Sequence, residues 1–262
     1  MSPSQAQAQS PASARPSRVA KIAWYLALIT LAGVLIGILG ATTGVLPPLA
    51  GFMLFAAAMV LGSILTLIVG LVGLIVTRAR AGRPARPGRS SAWRAVAIGG
   101  VLLLTLAVLA SRSGGVPPIH DITTDPGDPP RFGSSEGVAG RQGRELDYPQ
   151  GRPDSIALQK EAYPDLGPIR LDVPPNEAMD RAGKAAEALG WQIVGVDQAD
   201  GRLEATDTSR LFRFVDDIVV RIRPATGGSI VDVRSTSRVG ESDLGANAAR
   251  IRAFREHLAK SG

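Results

Sequence analysis

The chain has 262 residues, 29 lysines and arginines against 23 acids, no cysteine and two histidines, for a formal net charge of +6. The missing thiols exclude thiolate catalysis, cysteine-ligated zinc and a disulfide framework. Residues 1–111 carry nine bases and no acid, whereas residues 112–262 carry 20 bases against 23 acids, a formal −3. The first acidic residue is Asp121. Base concentrated beside apolar runs is the pattern of membrane-flanking arginine, which meets anionic headgroups and resists translocation. That reading leaves no nucleic acid among the expected partners.

In chain order, residues 1–18 read as a disordered cytoplasmic tail. Residues 22–77 contain no charged side chain, a run of 56 residues, where one span needs roughly 20. The run must turn, and Gly44-Val45-Leu46-Pro47-Pro48 breaks it. The expected spans are residues 22–43, 49–77 and 95–111, with a basic cytoplasmic loop at 78–94. That loop holds six arginines, and the tail holds Arg15, Arg18 and Lys21, while the 43–50 hairpin has no base. Both basic segments should face the cytoplasm, so three spans put residues 112–262 outside, in the periplasm. Trp24, Tyr25 and Trp93 fall at the cytoplasmic ends, as interface aromatics do. A cleaved signal peptide fits less well, because the apolar stretch exceeds the usual length and further spans follow. Gly33, Gly37, Gly40 and Gly44 suit close helix packing within the chain. No ionisable residue lies inside a span, which speaks against an ion or proton pathway.

Residues 112–170 read as a Pro-rich extended segment, ordered against the domain at its 116–132 end. Pro117, Pro118, Pro126, Pro129, Pro130, Pro149, Pro153, Pro164 and Pro168 oppose long helices and central strands. From residue 171 an α-β-β-β-β-α order is expected. Asn176 starts a helix as N-cap, with Met179, Ala182, Ala186 and Leu189 at helical spacing and Gly190 as the stop. Residues 191–196 and 202–205 form a hairpin around Asp200-Gly201. Residues 212–223 form the longest strand, with Phe214, Ile218, Val220 and Ile222 on one face and Asp217, Val219, Arg221 and Arg223 on the other. A two-residue loop at Gly227-Gly228 would pair Arg223 with Asp232 and Asp217 with Arg238, but also Arg221 with Arg234. Leu244, Ala248, Ile251, Phe254 and Leu258 stripe a final helix. The fold class is therefore α+β: three transmembrane helices, then a two-layer domain with a four-stranded antiparallel meander and two helices.

Three stretches carry a resemblance: Pro117-Pro-Ile-His-Asp-Ile-Thr-Thr-Asp125, Asp216-Asp-Ile-Val-Val-Arg-Ile222, and the long run from Val231 to Ile251. Over roughly residues 116–260 the chain resembles the bacterial domain-of-unknown-function family numbered 1499. The resemblance implies a membrane-associated protein and carries over no catalytic residue. The helix–meander–helix order is also similar to the helix-grip domains of outer-membrane assembly lipoproteins, a likeness of fold that assigns no function.

Two groups of candidate binding residues stand out. His120 with Asp121 and Asp125 puts an imidazole and carboxylates on one loop, the material of a divalent-cation or acid–base site. Structural metal sites need three or four ligands, and aspartate beside proline or glycine is ordinary turn chemistry, so no metal and no cofactor is expected. Arg238, Ser242, Asp243 and Asn247 gather where the last strand meets the last helix, whose N-terminus can receive an anion. The competing explanation is that Ser242 or Asp243 caps the helix while Arg238 pairs with Asp217. No serine triad, phosphate loop, dinucleotide fingerprint or zinc helix is present. The leading expectation is a binding module of the cell envelope, with membrane lipid and an envelope protein as candidate partners. The alternative is a metal-assisted or acid-catalysed envelope hydrolase using His120, Asp121, Asp125 and Asp243. Whether Pro117–Asp125 folds back onto Arg238–Asn247 decides whether the two groups are one site.

Overall fold

The computed structural model describes residues 15–79, 86–112, 115–133, 138–142, 144 and 146–260. Most of the expected disordered tail, and residues 80–85 of the arginine loop, lie outside the described residues. The chain divides into two compact units, Met1–Ser111 and Arg112–Gly262.

The first unit is helical: α1 (Arg18–Thr42), α2 (Pro48–Ala57), a π-helical turn over Ala58–Gly62, α3 (Ser63–Thr77) and α4 (Arg89–Arg112). The segments Arg18–Thr42, Pro48–Thr77 and Arg89–Ser111 are each long and apolar enough to cross a membrane, with hydropathies of 2.4, 2.7 and 2.0. Two helices start earlier than apolarity alone predicts, at Arg18 and Arg89, because long basic side chains fit a terminal turn whose head reaches water. Pro48 opens α2 at a position where a missing N–H costs nothing. Glycine permits the close packing of α1 on α2: a Cβ at Gly37 would lie 2.7 Å from the Gly51 carbonyl oxygen.

The second unit contains β1 (Asp121–Thr123), α5 (Ser155–Ala162), β2 (Ile169–Leu171), α6 (Pro175–Ala188), β3 (Gln192–Asp197), β4 (Arg202–Thr208), β5 (Val215–Ala225), β6 (Gly228–Ser237) and α7 (Ala246–Lys260). The sheet has six antiparallel strands rather than four, in the order β1-β6-β5-β4-β3, with β2 also on β6. β1 and β2 share the outer edge of β6, one pairing residues 234–236 and the other 229–231. Both come from the segment expected to be merely extended. Its prolines allow three-residue strands on an edge, where one side needs no partner. Pro153 likewise precedes α5 by two residues and does not interrupt it.

The core lies on one sheet face, under α6 and α7. Leu203, Ala205, Ile218, Val220, Ile222, Val231 and Val233 meet Met179, Ala182, Ala186, Ile251, Phe254 and Leu258, and Ile119 and Ile122 complete the layer. Trp191 stacks on Phe254 with ring centres 5.2 Å apart. Two helix starts differ from expectation. Pro174 is the N-cap of α6 and Pro175 its first residue, so Asn176 lies inside the first turn, since proline is pre-organised for that position. Leu244 has φ +53 and stays outside α7, exposed rather than on the apolar stripe.

The β5–β6 register differs by two residues from the expected one. Ala225 pairs with Gly228, so the turn is Thr226-Gly227, with Gly227 at φ +82. Gly228 is a strand residue, and a Cβ there would sit 2.0 Å from the Leu171 carbonyl oxygen of β2. The shift sets Arg221 opposite Asp232 instead of Arg234 and removes the like-charge conflict. β5 starts at Val215 rather than residue 212, because Arg213 at φ +56 turns the chain just before it.

Candidate functional site

Strand alternation sends Glu204, Thr206, Asp217, Val219, Arg221, Arg223, Asp232, Arg234 and Thr236 to the face away from α6 and α7. An open face of this composition would be solvated. Here the described residues of the 126–133 and 138–150 stretches, Phe132, Arg141 and Tyr148 among them, lie against it and bury much of it. Arg141, with no solvent exposure, runs from the cover into the sheet, where its Nε donates to Asp217 Oδ1 at 2.7 Å and its Nη1 donates to Glu204. Asp217 also accepts from Arg144 Nη1 at 2.9 Å and from Arg238 Nε and Nη2 at 2.9 and 2.8 Å. Burial pushes the Asp217 carboxyl up, but the hydrogen bonds and charges of Arg238 and Arg141 outweigh it and hold it below the usual range.

Arg234, 1 % exposed, forms a two-pronged pair with the buried Asp121 from β1. Phe132 meets two guanidiniums, 4.8 Å from that of Arg141 and 5.1 Å from that of Arg234, and Tyr148 lies 5.3 Å from Arg234. Guanidinium against an aromatic face is attractive and is strengthened by desolvation. Burial, and then the Asp121 charge, push the Tyr148 phenol up to about 12, against the pull of Arg234. Nearer the β5–β6 turn, Arg221 and Arg223 both donate to Asp125, Asp128 and Asp232.

The two sequence groups do come together, mainly through backbone. The Ile119 carbonyl accepts from Asp243 N at 3.2 Å, and the His120 carbonyl accepts from Ser237 N at 3.0 Å and Asn247 Nδ2 at 2.9 Å. Asn247 is fully buried, and its Oδ1 accepts from Ser235 Oγ at 2.6 Å and from Arg250 Nη1. Arg250 in turn pairs with Asp207 and Asp216. Asp243 closes the start of α7, accepting from Gly245 N and Asn247 N, each at 2.8 Å, and Ser242 Oγ accepts from Leu244 N. Arg238 belongs instead to Asp217, and Asp125 to Arg221 and Arg223. The expected residues therefore split between two faces of the sheet. Arg141, Glu204, Phe132, Arg234, Tyr148 and Arg250 were not legible as site residues, since their partners lie tens of positions away without a motif.

Open space lies along the cover. A cleft of about 630 Å³ is lined by Arg131, Phe132, Asp147, Tyr148, Pro149 and Arg234 among others. A neighbouring depression of about 400 Å³ shares Asp147 and Pro149 and adds His120, Gln150 and Gly151. A third, of about 390 Å³, shares His120 and Gly151 and adds Pro118, Arg152 and Glu241. The three adjoin through these shared residues, in the order Arg131, His120, Arg152. Gly151, at φ +87, leaves room for the imidazole: a Cβ there would lie 3.0 Å from His120 Cε1. Among the described residues, no group of three or more His, Asp or Glu is arranged to hold a metal ion.

Fold and site together define a class: an α+β domain with one sheet face under helices and the other under an arginine–carboxylate network, joined to three helices fit to cross a membrane. Residues 121–258 match the family described as Protein of unknown function (DUF1499), and the chain belongs to that family. The match begins at Asp121, the first acidic residue and the first of β1. No curated protein matches the chain.

Proposed function

We propose that this protein is a membrane-anchored binding module of the cell envelope. Its α+β domain stands on the periplasmic side of the cytoplasmic membrane and takes an extended, anion-bearing envelope component along the groove from Arg131 to Arg152. The observation that carries the reading is the groove itself: three depressions sharing lining residues, with an arginine at each end and His120 between. Asp121 is taken up by Arg234, Asp125 by Arg221 and Arg223, and Asp243 by the start of α7, which favours binding over hydrolysis. Ser242, Asp243 and Asn247 act in this reading as the frame holding His120 at the groove, and Arg238 holds the covered face through Asp217; none of the four is a ligand contact. The orientation rests on the arginines of residues 78–94.

The test is a photo-crosslinking amino acid placed in the full chain, in cells, at His120, Arg131 or Glu256, an exposed α7 position away from the groove. The same anionic adduct should appear from His120 and Arg131 and weaken in Arg152→Gln. Adducts no stronger than those from Glu256 would end the proposal. Orientation is read separately, from the reaction of a single introduced cysteine at Thr226 with a membrane-impermeant reagent in intact spheroplasts. Protection of that cysteine would overturn the periplasmic assignment.

A further inference from the structure

The loop between β4 and β5, Ser209-Arg210-Leu211-Phe212-Arg213-Phe214, displays apolar and basic side chains together. Leu211 is 58 % exposed, and Arg210 and Arg213 are exposed on either side of the Leu211-Phe212 pair. Among the described residues neither guanidinium has a hydrogen-bond or ionic partner, whereas Arg141, Arg202, Arg221, Arg234 and Arg250 are all paired. The loop is nonetheless well defined. Ser209 N donates to the Phe214 carbonyl at 2.8 Å, and Phe214 N donates to Ser209 Oγ at 2.9 Å. Arg213 is held at φ +56, and the Phe212 and Phe214 rings lie 6.2 Å apart. A closed turn at a residue that resists this conformation keeps the apolar tip pointing out.

The sheet register shows what lies beside the loop. Thr208 pairs with Val215, and Asp216 pairs with Ser237, so the β4–β5 loop and the β6–α7 loop share one end of the sheet. The β6–α7 loop adds Val239, 45 % exposed, and Leu244, 68 % exposed, the latter also at positive φ. The chain enters the domain at the same end: a Cβ on Gly245 would lie 3.8 Å from the Val116 side chain. Val116 is four residues beyond the last residue of the apolar helix α4 in sequence. The same chain carries three helices long and apolar enough to cross a membrane, so a lipid surface is a partner this chain has at hand.

We propose that the Ser209–Phe214 loop, with Leu244 beside it, docks on an anionic lipid surface. Leu211 and Leu244 enter the acyl boundary while Arg210 and Arg213 meet lipid phosphates. Leucine and aromatic side chains gain by leaving water there, and unpaired guanidiniums gain from the negative surface potential. Glu241, Asp243, Asp207 and Asp216 are the acids nearest in sequence to the two loops, and Asp216 is paired with Arg250. Asp243 and Asp207 are already engaged, by the start of α7 and by Arg250, and Glu241 lines the groove. The inference does not depend on which side of the membrane the domain occupies, nor on a ligand in the groove.

The chain contains no cysteine, so single positions can be labelled cleanly. Leu211→Cys, Leu244→Cys and Thr226→Cys, each carrying a nitrobenzoxadiazole fluorophore, are placed singly in the full chain in nanodiscs. One disc set is phosphatidylcholine alone and the other contains 30 % phosphatidylglycerol. Thr226 lies in the β5–β6 turn, at the opposite end of the sheet. Nitroxide lipids labelled near the headgroup should quench the fluorophores at 211 and 244 at least threefold more than that at 226 in anionic discs. Adding Arg210→Gln and Arg213→Gln to Leu211→Cys should cut the excess by half or more. Equal quenching at 211 and 226 would overturn the proposal, as would equal quenching in neutral and anionic discs. A blue-shifted but unquenched label at 211 would indicate a protein partner and would also overturn it.

Discussion

Arg234 and Asp121 meet as a two-pronged pair, Nε to Oδ1 and Nη2 to Oδ2, each at 2.9 Å, with both side chains buried. The pair fastens β1 to β6 on the charged face and puts Arg234 against Phe132 and Tyr148 in the floor of the cleft. Asp121→Ala leaves a buried guanidinium without its carboxylate and should cost about 3–5 kcal/mol. Asp121→Leu combined with Arg234→Met should recover much of that loss, because a buried pair repays little beyond its own desolvation. Thermal melts of the detergent-solubilised chain compare the three proteins. A double mutant as unstable as the worse single one would refute the compensation.

Asp217 makes the fold acid-sensitive. Its folded value lies below its ordinary 3.8, so its stabilisation is fully present above that value and is lost as pH falls through the lower folded one. The melting-temperature gap between wild type and Asp217→Asn should be widest above pH 4 and close in stronger acid. Asp216 carries the opposite sign, because burial raises it even against Arg250. The wild-type advantage over Asp216→Asn should therefore shrink as pH rises from 3.8. Parallel pH series on the two variants check both slopes.

Tyr148 contributes its ring rather than its hydroxyl. The buried hydroxyl oxygen makes no hydrogen bond among the described residues, while the ring faces the Arg234 guanidinium. Tyr148→Phe should be neutral or slightly stabilising, since it removes an unsatisfied polar atom. Tyr148→Ala should lose at least the ~1–2 kcal/mol of a desolvated cation–π contact. Tyrosine difference absorbance between wild type and Tyr148→Phe should show this phenol ionising only near pH 12.

Asn247 joins the segment before β1 to the end of β6 and the start of α7. Asn247→Leu leaves the His120 carbonyl, Ser235 Oγ and Ser237 Oγ each short of a partner that the amide supplies. Each of the three keeps another partner, Ser237 N, Arg250 and Asp216 in turn. The loss is therefore that of the amide's own hydrogen bonds at about 0.5–1.5 kcal/mol each, a few kcal/mol in all despite the similar volume. Faster amide exchange at Ser237, whose N–H donates to the His120 carbonyl, would locate the damage. Unchanged exchange there would show that the amide does not hold this junction.

The candidate site was partly legible in the residues. His120 and Asp243 were singled out from composition and turn chemistry, and the structure brings their segments into contact. Asp217 with Arg238 was also legible, because charges spaced along adjacent strands meet whether the register is exact or shifted by two. The partner of Asp121 was not: Arg234 lies 113 positions away, and any of the domain's many arginines satisfied the same rule. Arg141 left no trace either, since it comes from a loop without periodicity.

What the sequence determined by itself is what depends on near neighbours. The absence of acids before Asp121 marks out three apolar helices, because hydropathy and flanking charge are local sums. The alternation in β5 assigns Ile218, Val220 and Ile222 to the core face, because strand geometry repeats every two residues. Only the tertiary structure decided that two strands from the proline-rich segment share the edge of β6, and which arginine meets which carboxylate. It also decided that the charged face is covered, and that Leu211 and Leu244 lie at the end where the chain enters. Those outcomes are choices among many chemically equivalent pairings, settled by packing, chain closure and burial rather than by residue type.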